Sequence, residues 1–394
     1  MAAGDVHKLR LESIVALGQA LSRLEGEPVF VEGGAPEETA ICRIVEEHKT
    51  WARAELLEIV EPSPVRIDAA CAYYGKCGGC NLQHIDYNAQ LTIKTTILKD
   101  AFSRIGGLIP PQIEVFPSAP LEYRNRMQFH CLRQPALGGC PVLALKGRSV
   151  ETIAVTDCLV ADSGIREILR KGGKGLPIPP EKDRFTVFSS GGTLLSEGGV
   201  QRGKIKLLGK DVIIDVGVFF QSNIVMLEKL ILELRKTASQ ACGTGITVHD
   251  TGAAAADLYC GVGTFALFLR DMFPRIVLAE EDKVAAGIAR ENLKGSDCEF
   301  FVLRDSQWEG KFLRRGTNIG FAVADPPRAG LAQRTAAALS HGGPPLLAYV
   351  SCDAATLARD SKILSGGGYR LKELKLFDFY PQTAHIESLA VFER

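Results

Sequence analysis

The carboxyl-terminal part of the sequence alternates short apolar runs with turn or helical stretches, and this alternation constrains the fold most strongly. The runs lie at residues 254–259, 276–279, 321–324 and 346–351. Strands joined by crossover helices form a parallel sheet, so the pattern predicts an α/β domain. Two further apolar runs, at 369–379 and 386–392, are expected to close one edge of that sheet.

Length, composition and charge bound the class of protein. The chain has 394 residues, of which 46% are hydrophobic, so it is long enough for two or three domains. No apolar run approaches the roughly 18 residues of a membrane-spanning helix. The 46 basic and 46 acidic residues cancel, which argues against a generally polycationic nucleic-acid binder and leaves room for a local basic groove. Residues 1–10 lack an apolar signal core, so a cytoplasmic protein is expected.

Shifts in composition divide the chain into three expected domains. Residues 1–65 are β-rich and acidic, with six Lys/Arg against twelve Asp/Glu, and Pro62 and Pro64 mark their end. Residues 66–218 contain a cysteine-rich segment and then short alternating segments, which predict a mostly β central domain. Residues 219–394 hold the α/β pattern.

A glycine-containing loop follows the first apolar run of the α/β region. Gly261 and Gly263 permit a tight turn and a close approach of the backbone to a ligand, although a simple turn needs no more than this. Glu280 follows Gly261 by nineteen residues, where a carboxylate accepts hydrogen bonds from a ribose diol. No phosphate-binding lysine follows the glycines, which excludes a P-loop. Either S-adenosylmethionine or a dinucleotide fits this arrangement.

Two turns at later strand ends carry candidate chemistry. Asp325 begins Asp-Pro-Pro-Arg, in which two prolines fix the loop and the orientation of the carboxylate; the alternative is an ordinary rigid turn. Cys352, in Ser-Cys-Asp, is expected at or near a helix N-terminus, where the dipole and free N–H groups favour thiolate. It is then either a nucleophile or a plain buried cysteine.

Glu387 enters the final apolar run, after His385 and Ile386. A carboxylate that enters a buried strand is a candidate general base with a raised pKa. The alternative is an exposed residue at a strand end.

Three cysteines within ten residues form the sharpest spacing in the chain, Cys71-x5-Cys77-x2-Cys80. Nearby glycines allow the backbone to curl so that the sulfurs converge on one metal centre. A fourth ligand has to come from elsewhere, and the nearest downstream candidates are Cys131, Cys140 and Cys158. The chemistry leaves zinc and an iron–sulfur cluster open.

Together and in this order, the motifs resemble the RNA uridine-5-methyltransferases, specifically the branch that carries a TRAM domain and a [4Fe–4S] cluster. The resemblance covers nearly the whole chain. It is carried by Cys71/Cys77/Cys80, Phe219-Phe220-Gln221-Ser222-Asn223, Asp257-Leu258-Tyr259-Cys260-Gly261-Val262-Gly263, Asp325-Pro326-Pro327-Arg328-Ala329-Gly330, Ser351-Cys352-Asp353 and His385-Ile386-Glu387.

The resemblance implies a fold and a set of ligand-binding residues. It implies a Rossmann-like S-adenosylmethionine-dependent methyltransferase domain, a mostly β central domain with the cluster, and a TRAM-like OB-type β-barrel at residues 1–65. The implied cluster ligands are Cys71, Cys77, Cys80 and Cys158. The implied contacts to S-adenosylmethionine are Gln221, Tyr259, Gly261, Thr264, Glu280, Asp305 and Asp325.

The resemblance also implies the reaction and the partner. Cys352 matches the nucleophile that adds to C6 of uracil, and Glu387 matches the base that removes the C5 proton. The implied substrate is a specific uridine, in 23S ribosomal RNA or alternatively in tRNA, and Arg124 and Arg126 are candidates for lining the RNA groove. A monomer is expected, and a non-catalytic iron–sulfur RNA-binding protein is the alternative from another class. The acidic composition of residues 1–65 predicts only a weak grip on phosphate.

Overall fold

The protein is described by a computed structural model that covers residues 2–133, 141–149, 151–179, 181–241, 252–308 and 318–394. Cys140, one of the candidate fourth metal ligands, lies outside these residues.

The amino-terminal region is a six-stranded sheet. Its strands are β1 (Val6–Arg10), β2 (Ser13–Ile14), β3 (Ala20–Leu24), β4 (Glu27–Glu32), β5 (Thr39–Glu47) and β6 (Ala52–Glu61). They are ordered β1-β5-β6-β4-β3-β2. The prediction of a β-rich region is therefore confirmed.

The expected closed barrel is not found among the described residues, because no ladder joins the two edge strands of this sheet, β1 and β2. The two edge strands nevertheless belong to one bent stretch of chain. Only Leu11 and Glu12 separate β1 from β2. The N–H of Leu11 donates to the Glu38 carbonyl at 2.8 Å, whereas that of Glu12 donates to the Leu21 carbonyl at 2.7 Å. The chain thus changes partner between these two residues, from one edge of the sheet to the other.

The middle of the chain is mostly β, as predicted. After helix α1 (Tyr87–Ala101) and a π-helical turn (Phe102–Gly106), its elements are β7 (Ile113–Phe116), β8 (Arg126–Arg133), β9 (Pro141–Lys146), β10 (Thr152–Ala154), α2 (Ser163–Arg170), β11 (Arg184–Ser190), β12 (Thr193–Ser196), β13 (Arg202–Leu207) and β14 (Lys210–Asp215). Five of the strands form a sheet in the order β10-β9-β8-β11-β12, and β13 pairs with β14.

The carboxyl-terminal region has the predicted α/β architecture. Its elements are α3 (Ile224–Gln240), β15 (Ala254–Leu258), α4 (Thr264–Leu269), β16 (Ile276–Glu280), α5 (Lys283–Asn292), β17 (Cys298–Val302), β18 (Ile319–Ala324), α6 (Gln333–Gly342), β19 (Leu346–Ser351), α7 (Ala354–Gly366), β20 (Arg370–Phe377) and β21 (Glu387–Glu393). The sheet is ordered β17-β16-β15-β18-β19-β21-β20-β7. The first five strands in this order pair in parallel, and β21 is antiparallel to both of its neighbours.

The edge of this sheet differs from the prediction. We expected the last two strands of the chain to close it, but β7 pairs in parallel with β20 and lies outside it. Strand β7 comes from the region between α1 and the central sheet, more than 250 residues before its partner. Its four residues supply the backbone partners that β20 would otherwise lack on that side.

Buried side chains cover both faces of the large sheet. One face shares a hydrophobic cluster with α1, α6, α7 and the amino-terminal sheet, so residues as distant as Val29, Ile97 and Tyr349 belong to one core. The opposite face packs against α3, α4, α5 and the β13–β14 pair. Strand β19 is buried at all six positions, as expected for a parallel strand covered on both sides. Among the described residues, no helix is both long and apolar enough to cross a membrane.

Candidate active site

A cavity of about 660 Å³ opens at the carboxyl ends of β15, β16, β18 and β19. This is the edge at which open α/β sheets bind ligands. All residues predicted for cofactor binding and catalysis line it: Gln221, Tyr259, Gly261, Thr264, Glu280, Asp305, Asp325, Cys352 and Glu387. The two candidate RNA-binding residues, Arg124 and Arg126, line it as well. The motifs thus converge on one place, while the roles of the individual residues stay predictions.

The loop after β15 makes one wall of the cavity. Tyr259 and Gly261 have positive φ angles of 61° and 53°, so the chain turns sharply as it leaves the strand. The N–H of Gly261 donates to Glu280 Oε2 at 2.8 Å, and the N–H of Asp282 donates to Glu280 Oε1 at 2.8 Å. These two donors fix the Glu280 carboxylate at the end of β16, with lone pairs left for a hydroxyl ligand.

A tyrosine–aspartate pair makes the neighbouring wall. The hydroxyl of Tyr259 donates to Asp305 Oδ2 at 3.0 Å, and the Trp308 ring meets the Tyr259 ring edge-on at 4.6 Å between centroids. Burial and the charge of Asp305 raise the pKa of Tyr259, so this hydroxyl stays protonated. Trp308 also lines the cavity and was missed by the sequence reasoning, because the residues around Asp305 form no recognisable motif.

Asp257 lies below the glycine loop and is fully buried. Its Oδ2 accepts the N–H of Ala266 in α4 at 2.8 Å, whereas its Oδ1 has no hydrogen-bond partner within the described part of the chain. Burial raises the pKa of Asp257 to about 8. This carboxyl therefore holds the loop against α4 rather than presenting a charge to a ligand.

Cys352 lies between β19 and α7, and its environment differs from the prediction. We expected a helix N-terminus to favour thiolate, but the N-cap is Asp353, whose Oδ1 accepts the N–H of Thr356 at 2.8 Å. Cys352 is thus one residue outside the cap. Burial, followed by the negative charges of Glu387 and Asp325, raises the pKa of Cys352 to about 12. The expectation of a lowered pKa for Cys352 is therefore wrong.

Glu387 is 3% exposed, which excludes the alternative of a solvated residue at a strand end. Burial and the nearby charge of Asp325 hold its pKa well above the usual range, and Arg328 opposes this shift. Burial also raises the pKa of Asp325 to about 7, against a hydrogen bond from Gln221 that lowers it. The cavity therefore contains two buried carboxyl groups that compete for ionisation.

His385 faces the same cavity and belongs to the motif that ends in Glu387. Its ring meets the Tyr380 ring edge-on at 5.7 Å between centroids. Burial, reinforced by the charges of Arg328, Arg124 and Lys94, lowers the pKa of His385 to about 4. A neutral imidazole therefore lies beside the candidate base.

Arg124 and Arg126 form the side of the cavity that faces the central sheet. Arg126 donates from Nη2 to the Val216 carbonyl at 3.2 Å, and its buried Nε has no partner within the described residues. Burial lowers the pKa of Arg126. Arg124 also lines a second cavity, so its side chain lies between the two.

The second cavity, of about 600 Å³, brings the predicted cluster ligands together: it is lined by Cys71, Cys77, Cys80 and Cys158, all free thiols. Burial raises the pKa of Cys80 to about 12, and the charges of Cys158 and Cys77 add to this shift. Cys131 is instead buried in the core of the central sheet. Among the described residues, no three Cys, His, Asp or Glu side chains are arranged to hold a metal ion, so the predicted cluster is not shown.

Comparisons with known proteins agree on one class of enzyme. Residues 315–394 match the family model described as tRNA (Uracil-5-)-methyltransferase. An uncharacterised RNA methyltransferase of Aquifex aeolicus is 30% identical over 433 residues, which cover 98% of each chain. A 23S rRNA (uracil(1939)-C(5))-methyltransferase of Aeromonas hydrophila is 28% identical over 429 residues, or 95% of this chain and 93% of that one.

One solved structure shares the whole fold. The Pyrococcus abyssi tRNA (uracil-54, C5)-methyltransferase, in complex with S-adenosyl-L-homocysteine, superimposes with a TM-score of 0.74 and covers 98% of this chain and 99% of its own. The two sequences are 23% identical, so this likeness concerns the fold alone.

Proposed function

Because the chain belongs to the RNA (uracil-5-)-methyltransferase family, we propose that it methylates C5 of a specific uridine in 23S ribosomal RNA, with Cys352 as nucleophile and Glu387 as base. Its family makes the chain an RNA-methylating enzyme, so the non-catalytic alternative is set aside, and we assign S-adenosylmethionine as its methyl donor. The observation that carries the proposal is the position of Cys352 and Glu387, both in the cavity that the predicted cofactor contacts also line.

The chemistry of uracil requires both side chains. Uracil C5 is a weak nucleophile, and addition of the Cys352 sulfur to C6 makes C5 enolate-like. S-adenosylmethionine, when bound, supplies an electrophilic methyl group on a positively charged sulfur. Once the nucleophilic C5 has taken up this methyl group, Glu387 takes the proton from C5, and the C6–S bond breaks as the C5–C6 double bond re-forms. The net products are 5-methyluridine, S-adenosylhomocysteine and one proton, and Cys352 is regenerated.

The raised pKa values of Cys352, Asp325 and Glu387 indicate which proton transfers the reaction needs. Cys352 is a thiol at rest, so its proton must leave when sulfur attacks C6. Asp325, with its pKa of about 7, is a suitable acceptor for a proton at neutral pH. Glu387 must be ionised to act as the base, and burial keeps that carboxylate poorly solvated and correspondingly basic. The target base must also leave its stack to reach this cavity.

The cofactor is assigned to the wall made by the loop after β15. Glu280, held by two backbone N–H groups, suits the ribose hydroxyls, and the Tyr259–Asp305 pair suits the adenine side. Gln221, which bonds to Asp325, then lies between cofactor and uracil. Gly261 and Thr264 complete the contacts by allowing a close approach at the start of α4.

The four cysteines of the second cavity are assigned to a [4Fe–4S] cluster. They fit its donor set, since Cys71, Cys77, Cys80 and Cys158 are unpaired thiols around one cavity, and Cys77 Sγ already accepts the Gly79 N–H at 3.4 Å. A cluster binds each sulfur at a different iron atom, so its ligands need not gather around one point as those of a single ion do. The role is structural, because methyl transfer moves no net electrons.

The remaining assignments concern domains and partners. We assign residues 1–65 to a TRAM-like OB-type domain, which is supported by the bent stretch of chain whose two parts, β1 and β2, form the two edges of its sheet. Residues 66–218 form the central domain and residues 219–394 the catalytic domain. Arg124 and Arg126 contact the RNA. The protein acts as a monomer in the cytoplasm.

Methyl transfer from labelled S-adenosylmethionine tests the proposal. The acceptors are rRNA and tRNA, separated from a strain that lacks this gene and digested to nucleosides afterwards. Label in 5-methyluridine from rRNA is the expected result. Label only in 5-methyluridine from tRNA would show that the substrate is tRNA and not rRNA. Cys352→Ala should abolish transfer, whereas Cys298→Ala, at the start of β17 and outside the cavity, should not. Wild-type transfer by Cys352→Ala would overturn the mechanism.

Anaerobic purification tests the cluster. Iron and sulfide in equal amounts, with a visible absorbance, are expected. Zinc without sulfide would show that the four cysteines hold a single zinc ion and not a cluster.

A further inference from the structure

The loop that carries the proposed base is held through its backbone. It spans residues 378–386, between β20 and β21, and leads directly into Glu387. The Pro381 carbonyl accepts the Tyr123 hydroxyl at 2.9 Å. Gln382 has a φ of 68°, an unfavourable conformation for a non-glycine residue that needs support from its surroundings.

Asn81 supplies part of that support. Its Oδ1 accepts the N–H of Ala384 at 2.9 Å, three residues before the base. Its own backbone N–H and that of Leu82 donate to the Gln382 carbonyl at 3.1 and 3.0 Å. Asn81 therefore binds the loop on both sides of Thr383.

The other half of the Asn81 amide contacts the amino-terminal sheet. Its Nδ2 donates to the Leu17 carbonyl at 2.8 Å, in the turn between β2 and β3. Gly18 in the same turn has a φ of 80°, and a Cβ there would lie 2.3 Å from Asn81 Nδ2. The turn and the amide are thus fitted closely to each other, and a side chain at position 18 would displace Asn81.

We propose that Asn81 is a positioning residue for the base: its amide fixes the loop before Glu387 against the turn of the amino-terminal sheet. The inference rests on the proposed role of Glu387. Asn81 directly follows Cys80, so the cysteine segment, the amino-terminal turn and the base-bearing loop meet at one side chain. Asn81 lines the cysteine cavity and not the active-site cavity, so its effect on the base passes through the loop.

This role predicts a defect at one step of the reaction. Without the Asn81 amide the loop shifts, and Glu387 removes the C5 proton more slowly. Sulfur addition and methyl transfer precede that step and depend on other residues. The methylated RNA should therefore stay attached to Cys352, because the C6–S bond breaks only when the C5 proton leaves. Displacement of a catalytic group by a fraction of an ångström is expected to slow its step about tenfold.

The experiment measures the covalent adduct and the rate of product release. Enzyme with its metal content verified is mixed with labelled S-adenosylmethionine and substrate RNA, and RNA–protein adducts that resist denaturation are quantified over time. Asn81→Ala should accumulate labelled adduct and release 5-methyluridine about tenfold more slowly, and Glu387→Gln should show the same defect more severely. Asn88→Ala, an exposed asparagine in α1, should match the wild type.

Two further variants separate positioning from a general loss of structure. Asn81→Asp keeps the acceptor for the Ala384 N–H, so it should release product faster than Asn81→Ala. Gly18→Ala disturbs the same amide from the other side, so it should accumulate adduct as Asn81→Ala does. Binding of S-adenosylhomocysteine, which should be unchanged, verifies that each variant is folded.

The outcomes distinguish a failure of the proposed role of Asn81 from a failure of the proposed role of Glu387. If Glu387→Gln accumulates adduct and Asn81→Ala does not, the role of Asn81 is overturned and the base assignment stands. If Asn81→Ala loses methyl transfer without any adduct while it still binds S-adenosylhomocysteine, the role is also overturned. If Glu387→Gln itself forms no adduct, the proposed role of Glu387 fails.

Discussion

Cys352 and Glu387 each lie next to one member of a residue pair that joins the antiparallel strands β19 and β21. Ser351, the last residue of β19, pairs with Ser388 of β21, so Cys352 and Glu387 directly flank the last residue pair of this ladder. Both side chains line the same cavity. The proposed nucleophile and the proposed base are therefore brought together by strand register, although 34 residues separate them in the chain.

The pH dependence should follow the charge of Asp325. Because its negative charge raises the pKa values of both Glu387 and Cys352, Asp325→Asn should lower both. A lower pKa means that each group ionises at lower pH, so the rising limb of the single-turnover rate should move to lower pH. The maximal rate should fall as well, because the variant lacks the carboxylate proposed to accept the Cys352 proton.

The matched control for this prediction is Asp353→Asn, which keeps a good N-cap for α7 and changes a carboxylate outside the cavity. The rising limb of its pH–rate profile should coincide with that of the wild type. A limb that stays in place or moves upward in Asp325→Asn would contradict the coupling of the two carboxyl groups.

Loss of the Tyr259 hydroxyl should weaken cofactor binding, because it releases Asp305 from the position in which the cavity wall holds it. Tyr259→Phe removes the 3.0 Å hydrogen bond to Asp305, and re-ordering Asp305 at a cost of about 1 kcal/mol on binding would raise Kd about fivefold. Calorimetric titration with S-adenosylhomocysteine measures it. Tyr369→Phe removes a buried hydroxyl whose partner is the Pro344 carbonyl, so its Kd should not change. Equal effects of the two variants would assign the loss to stability.

Substitution tests the proposed cluster and the assignment of Cys158 as its fourth ligand. Cys158→Ala should lose most of the iron and the visible absorbance, because Cys158 lines the same cavity as Cys71, Cys77 and Cys80. Cys131→Ala should keep both, since Cys131 is buried in the core of the central sheet. Metal analysis of anaerobically purified protein measures the difference, and loss of iron from Cys131→Ala alone would reverse the assignment.

Removal of one partner of the buried Lys94–Asp378 ion pair should lower the free energy of unfolding strongly. Lys94 Nζ lies 2.5 Å from Asp378 Oδ1, and both side chains are fully buried. Lys94→Met leaves the carboxylate without its cation, which should cost about 3–5 kcal/mol of unfolding free energy. Urea denaturation measures it.

Two comparisons complete the test of Lys94. Lys99→Met, an exposed position on the same helix, should change stability by about 0.5 kcal/mol or less. The double variant Lys94→Met/Asp378→Asn should recover part of the loss, because it removes the unpaired charge. A single variant as stable as the wild type would show that the pair contributes nothing.

Much of the active site could be predicted because its residues follow apolar runs. Tyr259, Glu280, Asp325 and Cys352 each stand at or just after the end of a parallel strand, and such ends meet at one edge of a sheet. The geometry of the backbone thus converts four separate motifs into one cavity.

The electrostatic state of the site could not be predicted in the same way. The pKa of Cys352 depends on its burial and on Glu387 and Asp325, neither of which is adjacent in sequence. The expected helix dipole is a local property, and Asp353 already satisfies the nearby Thr356 N–H. Local reasoning therefore gave the wrong direction for the pKa.

The long-range pairing of strands could not be predicted from the sequence for a similar reason. Strand β7 has only four residues, and nothing in Ile113–Phe116 indicates that its partner β20 begins at Arg370. The bend at Leu11 and Glu12, where the chain changes from one sheet edge to the other, leaves no pattern of its own.

The position of β7 limits how the enzyme can be dissected. A fragment cut at residue 219 would keep every residue assigned to cofactor binding and catalysis, yet it would lack β7 and α1. Strand β20 would become an open edge with unpaired backbone groups, and the apolar surface under α1 would meet water. Such a fragment is expected to aggregate, so the catalytic half cannot be transplanted as a free-standing module.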